Sequence, residues 1–294
     1  MSLIYEIASA AAVRAAKIFT QGTDDRRSVV IRYGKCRDQQ IVFRYPAKKT
    51  AASGRKDCVV VYFHGGGYLL GGADLPAAAK RLTDKGWCVA CCGYRLLPAR
   101  FPAQIDDAFA ALEAVTAYMA DTGLGRRVVL AGNSIGALSA ALCAFDSDTR
   151  DAMGIDCEIA GLLSVGGVLD LRRALKRLSW SKMAALTFFT RCDASELARY
   201  SPICHVSPEQ DVPVLCLHGK YDNLVPYAGA MRFVRRLNEK KAGSVPAGKP
   251  NAVMIEIKDP VYRHIRLTAG LWLEDPARSP LQREIYRWLD GLSR

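Results

Sequence analysis

A serine set between two glycines, Gly132-Asn133-Ser134-Ile135-Gly136, follows the apolar run Val128-Val129-Leu130-Ala131 directly and precedes a helix-forming segment. Few patterns constrain a chain more tightly. The backbone must pass from a buried strand into a helix within a few residues, and the flanking glycines allow that turn without side-chain clashes. A hydroxyl carried on such a turn is exposed at its crest, which is the layout of a nucleophile elbow. The motif is short and recurs by chance, so its meaning depends on what accompanies it.

Its companion lies about seventy residues upstream, where Asp57-Cys58-Val59-Val60-Val61-Tyr62-Phe63 reads as a buried strand running into His64-Gly65-Gly66-Gly67-Tyr68. Three consecutive glycines free the backbone to aim N–H groups into a cavity. Acyl transfer needs such donors, because its tetrahedral intermediate carries a negative charge on oxygen, and each lost donor costs about 2.7–4 kcal/mol of transition-state stabilisation. The pattern nominates the N–H groups of Gly65 and Gly66 as two donors and that of Ile135, the residue after the serine, as a third. A phosphate loop would require a Gly-Lys-Ser/Thr ending, and a dinucleotide fingerprint would require the glycines to open a helix with an acidic residue about 20 positions on. Neither is present.

A serine hydrolase of this layout takes its other two members in the chain order serine, acid, histidine. The chain has four histidines. His64 belongs to the glycine loop, His205 and His218 precede the best acid, and His264 lies beyond it, on a loop after the strand Ala252 to Ile257. The acid is Asp222, in the loop that follows the short apolar strand Val212 to Leu217, where open α/β sheets collect functional groups. It would hold His264 in one tautomer and stabilise the imidazolium that forms as Ser134 loses its proton. Asp170, after the apolar run Ile159 to Val165, is the reserve acid.

Along the chain, strands near 28–33, 39–45, 57–63, 87–94, 126–131, 157–165, 212–218 and 251–257 alternate, after a first hairpin, with helical patterns near 74–85, 103–120, 135–145, 225–240 and 280–292. Such alternation predicts an α/β fold: a mostly parallel eight-stranded sheet covered by helices on both faces. At 294 residues the chain is expected to form one domain. The stretch from about 167 to 200, rhythmically apolar at Leu171, Leu175, Leu178, Met183 and Leu186, is too long for an ordinary connection. Residues from about 1 to 20 read as an amphipathic N-terminal helix.

Composition excludes several alternatives. No stretch is apolar enough for a membrane span, and the N-terminal segment is interrupted by Glu6, Arg14 and Lys17 and does not read as a secretion signal, so the expected location is cytoplasmic. Most of the ten cysteines, among them Cys58, Cys88, Cys91, Cys92, Cys143, Cys157 and Cys216, fall in apolar runs and read as buried thiols of a reducing compartment. Cys88 and Cys91 spell C-x-x-C but lack the second pair or histidines that a zinc site needs, so no metal is expected. The net charge of +12 is dispersed over pairs such as Arg172-Arg173 and Arg235-Arg236, which read as solvated helix faces and not as a nucleic-acid surface.

With these motifs in view, the chain resembles α/β-hydrolases of the hormone-sensitive-lipase-like and small carbohydrate-esterase-like, or feruloyl-esterase-like, branch. The resemblance rests on the His64 to Gly67 loop, Tyr94-Arg95-Leu96-Leu97-Pro98 with Phe101-Pro102-Ala103, the Gly132 to Gly136 elbow, Ser201-Pro202, and the segment from His218-Gly219 to Asp222. It covers about residues 55–265. Where such families usually carry an alanine and two glycines after the serine, this chain has Ile135, Gly136 and Ala137. The resemblance implies a carboxylesterase-type serine hydrolase acting on a small ester with a short acyl group through an acyl-enzyme, and needing no cofactor. It also implies that the N-terminal helix (about 1–20) and the insertion (about 167–200) form a helical cap whose apolar side chains shape the substrate pocket. An amidase or formamidase with the same triad and a non-catalytic binding module on the same scaffold are the alternatives. A homodimer is compatible with an exposed edge strand.

Overall fold

In the computed structural model, residues 28–46, 57–74, 76–172, 193–207, 210–241, 252–268 and 270–292 are described. The expected N-terminal helix and the segment 173–192 of the expected cap, with Leu175, Leu178, Met183 and Leu186, lie outside them. All eight expected strands form: β1 (Ser28–Arg32), β2 (Gln40–Arg44), β3 (Cys58–Phe63), β4 (Cys88–Cys92), β5 (Arg127–Asn133), β6 (Glu158–Val165), β7 (Val214–Gly219) and β8 (Ala252–Ile257). They make one sheet in the order β1-β2-β4-β3-β5-β6-β7-β8. The hairpin β1-β2 and the β2-β4 pair are antiparallel, and every pair from β4 to β8 is parallel.

The helices are α1 (Pro76–Thr83), α2 (Ala103–Asp121), α3 (Ile135–Phe145), α4 (Ser147–Ala152), α5 (Ala194–Arg199), α6 (Tyr227–Lys241), α7 (His264–Thr268) and α8 (Pro280–Asp290). Two cores result, one on each face of the sheet, and the strands feed them alternately. Val59, Val61 and Phe63 of β3 pack with Phe109 and Leu112 of α2, Leu138 of α3 and Phe233 of α6. Cys58, Val60 and Tyr62 pack on the other side with Leu82 of α1 and Ile285 and Leu289 of α8. This is why β3 and β4 read as unbroken apolar runs: a strand buried on both faces has no polar side to show. The same alternation disposes of the C-x-x-C spacing, since Cys88 and Cys91 point into opposite cores. Cys157 departs from the expectation of a buried thiol. It precedes β6 and is half-buried.

Strand order also decides where the chemistry can be. From β3 the chain passes through α1 to β4 on one side, whereas from β5 it passes through α3 to β6 on the other. The connections therefore diverge above the adjacent carboxyl ends of β3 and β5, and such a switch point leaves a crevice. The glycine loop and Ser134 are the first residues beyond those two ends. No helix among the described residues is long and apolar enough to cross a membrane.

Candidate active site

Ser134 links β5 to α3 with φ 54° and ψ −123°, a conformation that costs a residue bearing a Cβ about 1–3 kcal/mol. The surroundings hold it there. Its N–H donates to Val165 O on β6 at 2.9 Å, and its carbonyl accepts from Ala137 N–H at 3.2 Å. The elbow glycines are explained by proximity. A Cβ on Gly132 would lie 2.5 Å from Gly136 O, and one on Gly136 would lie 2.2 Å from His64 O. The elbow is thus pressed against its own helix and against the end of β3, where there is no room for a methyl group.

His264 and Asp222 meet Ser134 from the far side. His264 Nε2 is 2.8 Å from Ser134 Oγ, and its Nδ1 is 2.8 Å from Asp222 Oδ2. A carboxylate only accepts, so Nδ1 carries the proton and Nε2 presents its lone pair to the serine hydroxyl. The sequence places His264 on a loop, but it is the first residue of α7, buried at 3% exposure. A run of five residues ending in Thr268 carries too little periodicity to announce itself. Thr268 Oγ donates to the carbonyl of His264 at 2.8 Å and fixes that short turn.

Asp222 is locked by its own loop. Its Oδ1 accepts from the N–H groups of Leu224 at 2.9 Å and Val225 at 2.8 Å, and its N–H donates to Gly219 O at 3.1 Å. Burial pushes the carboxyl upward, but the positive potential of the His264 imidazole and hydrogen bonds from His218 and His264 outweigh it and hold Asp222 well below the usual carboxylate range. The reserve acid is engaged elsewhere. Asp170 is paired with Arg232 of α6 at 2.6 Å.

The glycine loop departs from expectation at one residue. Gly65 N–H, nominated as an oxyanion donor, instead donates to Asn133 Oδ1 at 2.9 Å. Asn133 Oδ1 also accepts from Tyr62 OH at 2.9 Å. This bond differs from the role expected of Gly65, because a donor engaged by a buried acceptor must leave it before it can serve a substrate oxygen. Beyond it the loop turns through Gly66 (φ 118°) and Gly67 (φ 63°), conformations that favour glycine. Ile135 N–H is one of the donors at the start of α3 that have no partner within the helix. Asn133, which ties the glycine loop to the elbow, is the residue the sequence reading passed over. Its position inside the elbow was the available signal, but its partners are 68 and 71 residues away.

Tyr94 OH supports the loop from beneath by donating to His64 O at 2.5 Å, with the two rings stacked at 4.2 Å. Arg95 is held by Asp107 through Nη2 at 2.7 Å, and Asp107 also accepts from Gln39 at 2.8 Å. These contacts give the Tyr94-Arg95 motif a scaffolding role below the crevice. No group of three or more His, Cys, Asp or Glu side chains that could hold a metal ion occurs among the described residues.

This arrangement can activate a hydroxyl: a base within hydrogen-bonding reach of Ser134, an ionised acid orienting that base, and N–H donors beside them. Among solved structures, the fold is similar to that of esterase B from Lactobacillus rhamnosis, with a TM-score of 0.73 at 21% identity over 99% of this chain and 95% of that one. It is also similar to a truncated carbohydrate esterase from gut microbiota, with a TM-score of 0.69 at 15% identity over 90% of this chain and 96% of that one. A third is Thermogutta terrifontis esterase 2 phosphonylated by sarin, with a TM-score of 0.63 at 22% identity over 83% of this chain and 87% of that one. In sequence, 82 residues are 43% identical to carboxylesterase NlhH of Mycobacterium tuberculosis, which is 26% of this chain and 26% of that protein. The chain thus spans about a quarter of the length of the curated relatives it matches. The family model described as BD-FAE matches residues 46–237, which include the glycine loop, the elbow and Asp222. With about two thirds of its length matched, the chain belongs to the BD-FAE family.

Proposed function

We propose that the protein is a serine carboxylesterase acting on small esters through an acyl-enzyme. The observation that carries this reading is the continuous relay Asp222–His264–Ser134, two contacts of 2.8 Å each, at the switch point of the sheet. His264 takes the Ser134 proton as Oγ attacks the ester carbonyl. The resulting oxyanion is held by the N–H groups of Gly66 and Ile135, with the Gly65 N–H engaged by Asn133. His264 then delivers its proton to the departing alcohol, and water attacks the acyl group by the same route in reverse. Asp222 remains ionised throughout, consistent with its depressed pKa. The names of the relatives, a carboxylesterase and several esterases, support the reaction class. The family resemblance favours a short acyl group.

Hydrolysis of p-nitrophenyl acetate, butyrate and octanoate tests the reading. Wild type is expected to prefer the shorter esters, and Ser134→Ala and His264→Ala to lose at least about 10³-fold in kcat. Asp222→Asn should fall almost as far, while Asp170→Asn retains kcat within about threefold, since its ion pair does not touch the relay. An inactive wild type, or a Ser134→Ala variant with unchanged turnover, refutes the reading. Faster turnover of the matched p-nitroanilides would move the assignment to an amidase.

A further inference from the structure

His218 is a buried, titratable side chain that the mechanism above does not use. It lies on β7 with 1% exposure, one residue before the glycine that ends the strand. Its Nε2 is 3.0 Å from Val225 O and 3.4 Å from Asp222 Oδ2. A carbonyl oxygen can only accept, so Nε2 carries the proton. Nδ1 has no hydrogen-bond partner among the described residues. The ring is held edge-on to Tyr227, with centroids 6.0 Å apart at 79°.

These contacts close a ring around the acid. Val225 N–H donates to Asp222 Oδ1, Val225 O accepts from His218, and the same His218 proton faces Asp222 Oδ2. We infer that His218 is a positioning residue for the catalytic acid, an inference that rests on the hydrolase reading above. Its single Nε2–H fixes both ends of the Asp222 loop and limits rotation of the carboxylate, so that Oδ2 stays aimed at His264 Nδ1. The Nδ1 of His218 faces no partner among the described residues that would draw the ring into the proton relay.

The test separates the donor from the ring. His218→Phe keeps the ring and deletes the N–H, whereas His218→Gln keeps an N–H near the Nε2 position and deletes the ring. His218→Phe is expected to lower kcat for p-nitrophenyl acetate about ten- to thirtyfold at little-changed KM, with His218→Gln within about threefold of wild type. In an Asp222→Asn background, His218→Phe should cost less than about twofold, because a residue acting through the acid has nothing left to position. Equal losses in the two backgrounds, or a glutamine variant as impaired as the phenylalanine one, would overturn the inference.

Nitrogen-15 NMR of the wild-type histidines gives a readout that needs no substrate and no variant. His218 must be the Nε2–H tautomer with a proton protected from exchange, and an Nδ1–H tautomer overturns the inference even if His218→Phe fails to fold. If wild type hydrolyses no ester, the hydrolase reading fails, and the tautomer still decides whether His218 holds Asp222.

Discussion

Removing Asn133 should damage stability and turnover together, in amounts the structure allows to be worked out. Its Oδ1 is the shared acceptor of two buried donors, Tyr62 OH and Gly65 N–H, both at 2.9 Å, and Asn133 itself is only 9% exposed. In Asn133→Ala both lose their partner, and each orphaned donor costs about 1–3 kcal/mol, less where water enters from the crevice. A loss of about 2–4 kcal/mol is expected. For a chain of 294 residues the unfolding entropy is about 0.6 kcal/mol per kelvin, so Tm should fall by roughly 3–6 °C. The same deletion unpins Gly65, and with it the Gly66-Gly67 turn. Turnover is expected to drop about 10- to 100-fold, below the full loss that follows removal of an oxyanion donor.

The pairing makes a sharper statement possible. Tyr62→Phe removes one of the two donors, so in the double variant only Gly65 N–H remains orphaned. The double variant should therefore be more stable than the sum of the singles predicts, by about 1–2 kcal/mol. Thermal melts and urea titrations of wild type, both singles and the double provide the cycle, and p-nitrophenyl acetate kinetics provide the second readout. Additive stabilities within about 0.5 kcal/mol would refute a shared acceptor. Unchanged turnover in Asn133→Ala would refute its role in holding the loop.

Gly136→Ala should be far more disruptive than an alanine in a helix usually is. Its methyl group would lie 2.2 Å and 2.3 Å from the carbonyl oxygens of His64 and Phe63, backbone atoms that cannot rotate away. The soluble yield and melting of this variant should fall well below those of Gly123→Ala, where a Cβ meets nothing within 4 Å, even though Gly123 has a positive φ. Acidification should expose Asp222. A carboxyl held below its unfolded value of about 4 adds stability that is fully present above that pH and is lost as the pH falls toward the folded value. Wild type should therefore lose Tm more steeply than Asp222→Asn between about pH 5 and pH 3, and parallel curves would contradict the depressed pKa.

Much of the fold was legible because it depends on local properties. Unbroken apolar runs over Cys58–Phe63 and Cys88–Cys92 could satisfy only strands buried on both faces, and all eight strands form within a few residues of the expected bounds. The short helices were not legible. Ser147–Ala152 and His264–Thr268 span a turn or two and bury too few residues to impose a period.

The sequence by itself determined the strand-turn-helix frame, the serine at its crest, and the three side chains that meet there. Motif order and the small supply of histidines left little choice once an elbow was recognised. Only the tertiary structure decided which groups remain free to act. Gly65 and Gly66 are equivalent on paper, yet Asn133 reaches across 68 positions to take the proton of the first. Asp222 and Asp170 both follow core strands, yet Arg232 occupies one and His264 meets the other. His218 looks like a strand residue until the loop beyond it folds back and brings Val225 O to its ring. The physical reason is the same in each case. A strand or an elbow is specified by the residues that compose it, whereas the availability of a donor or an acid depends on what distant chain has already bound it.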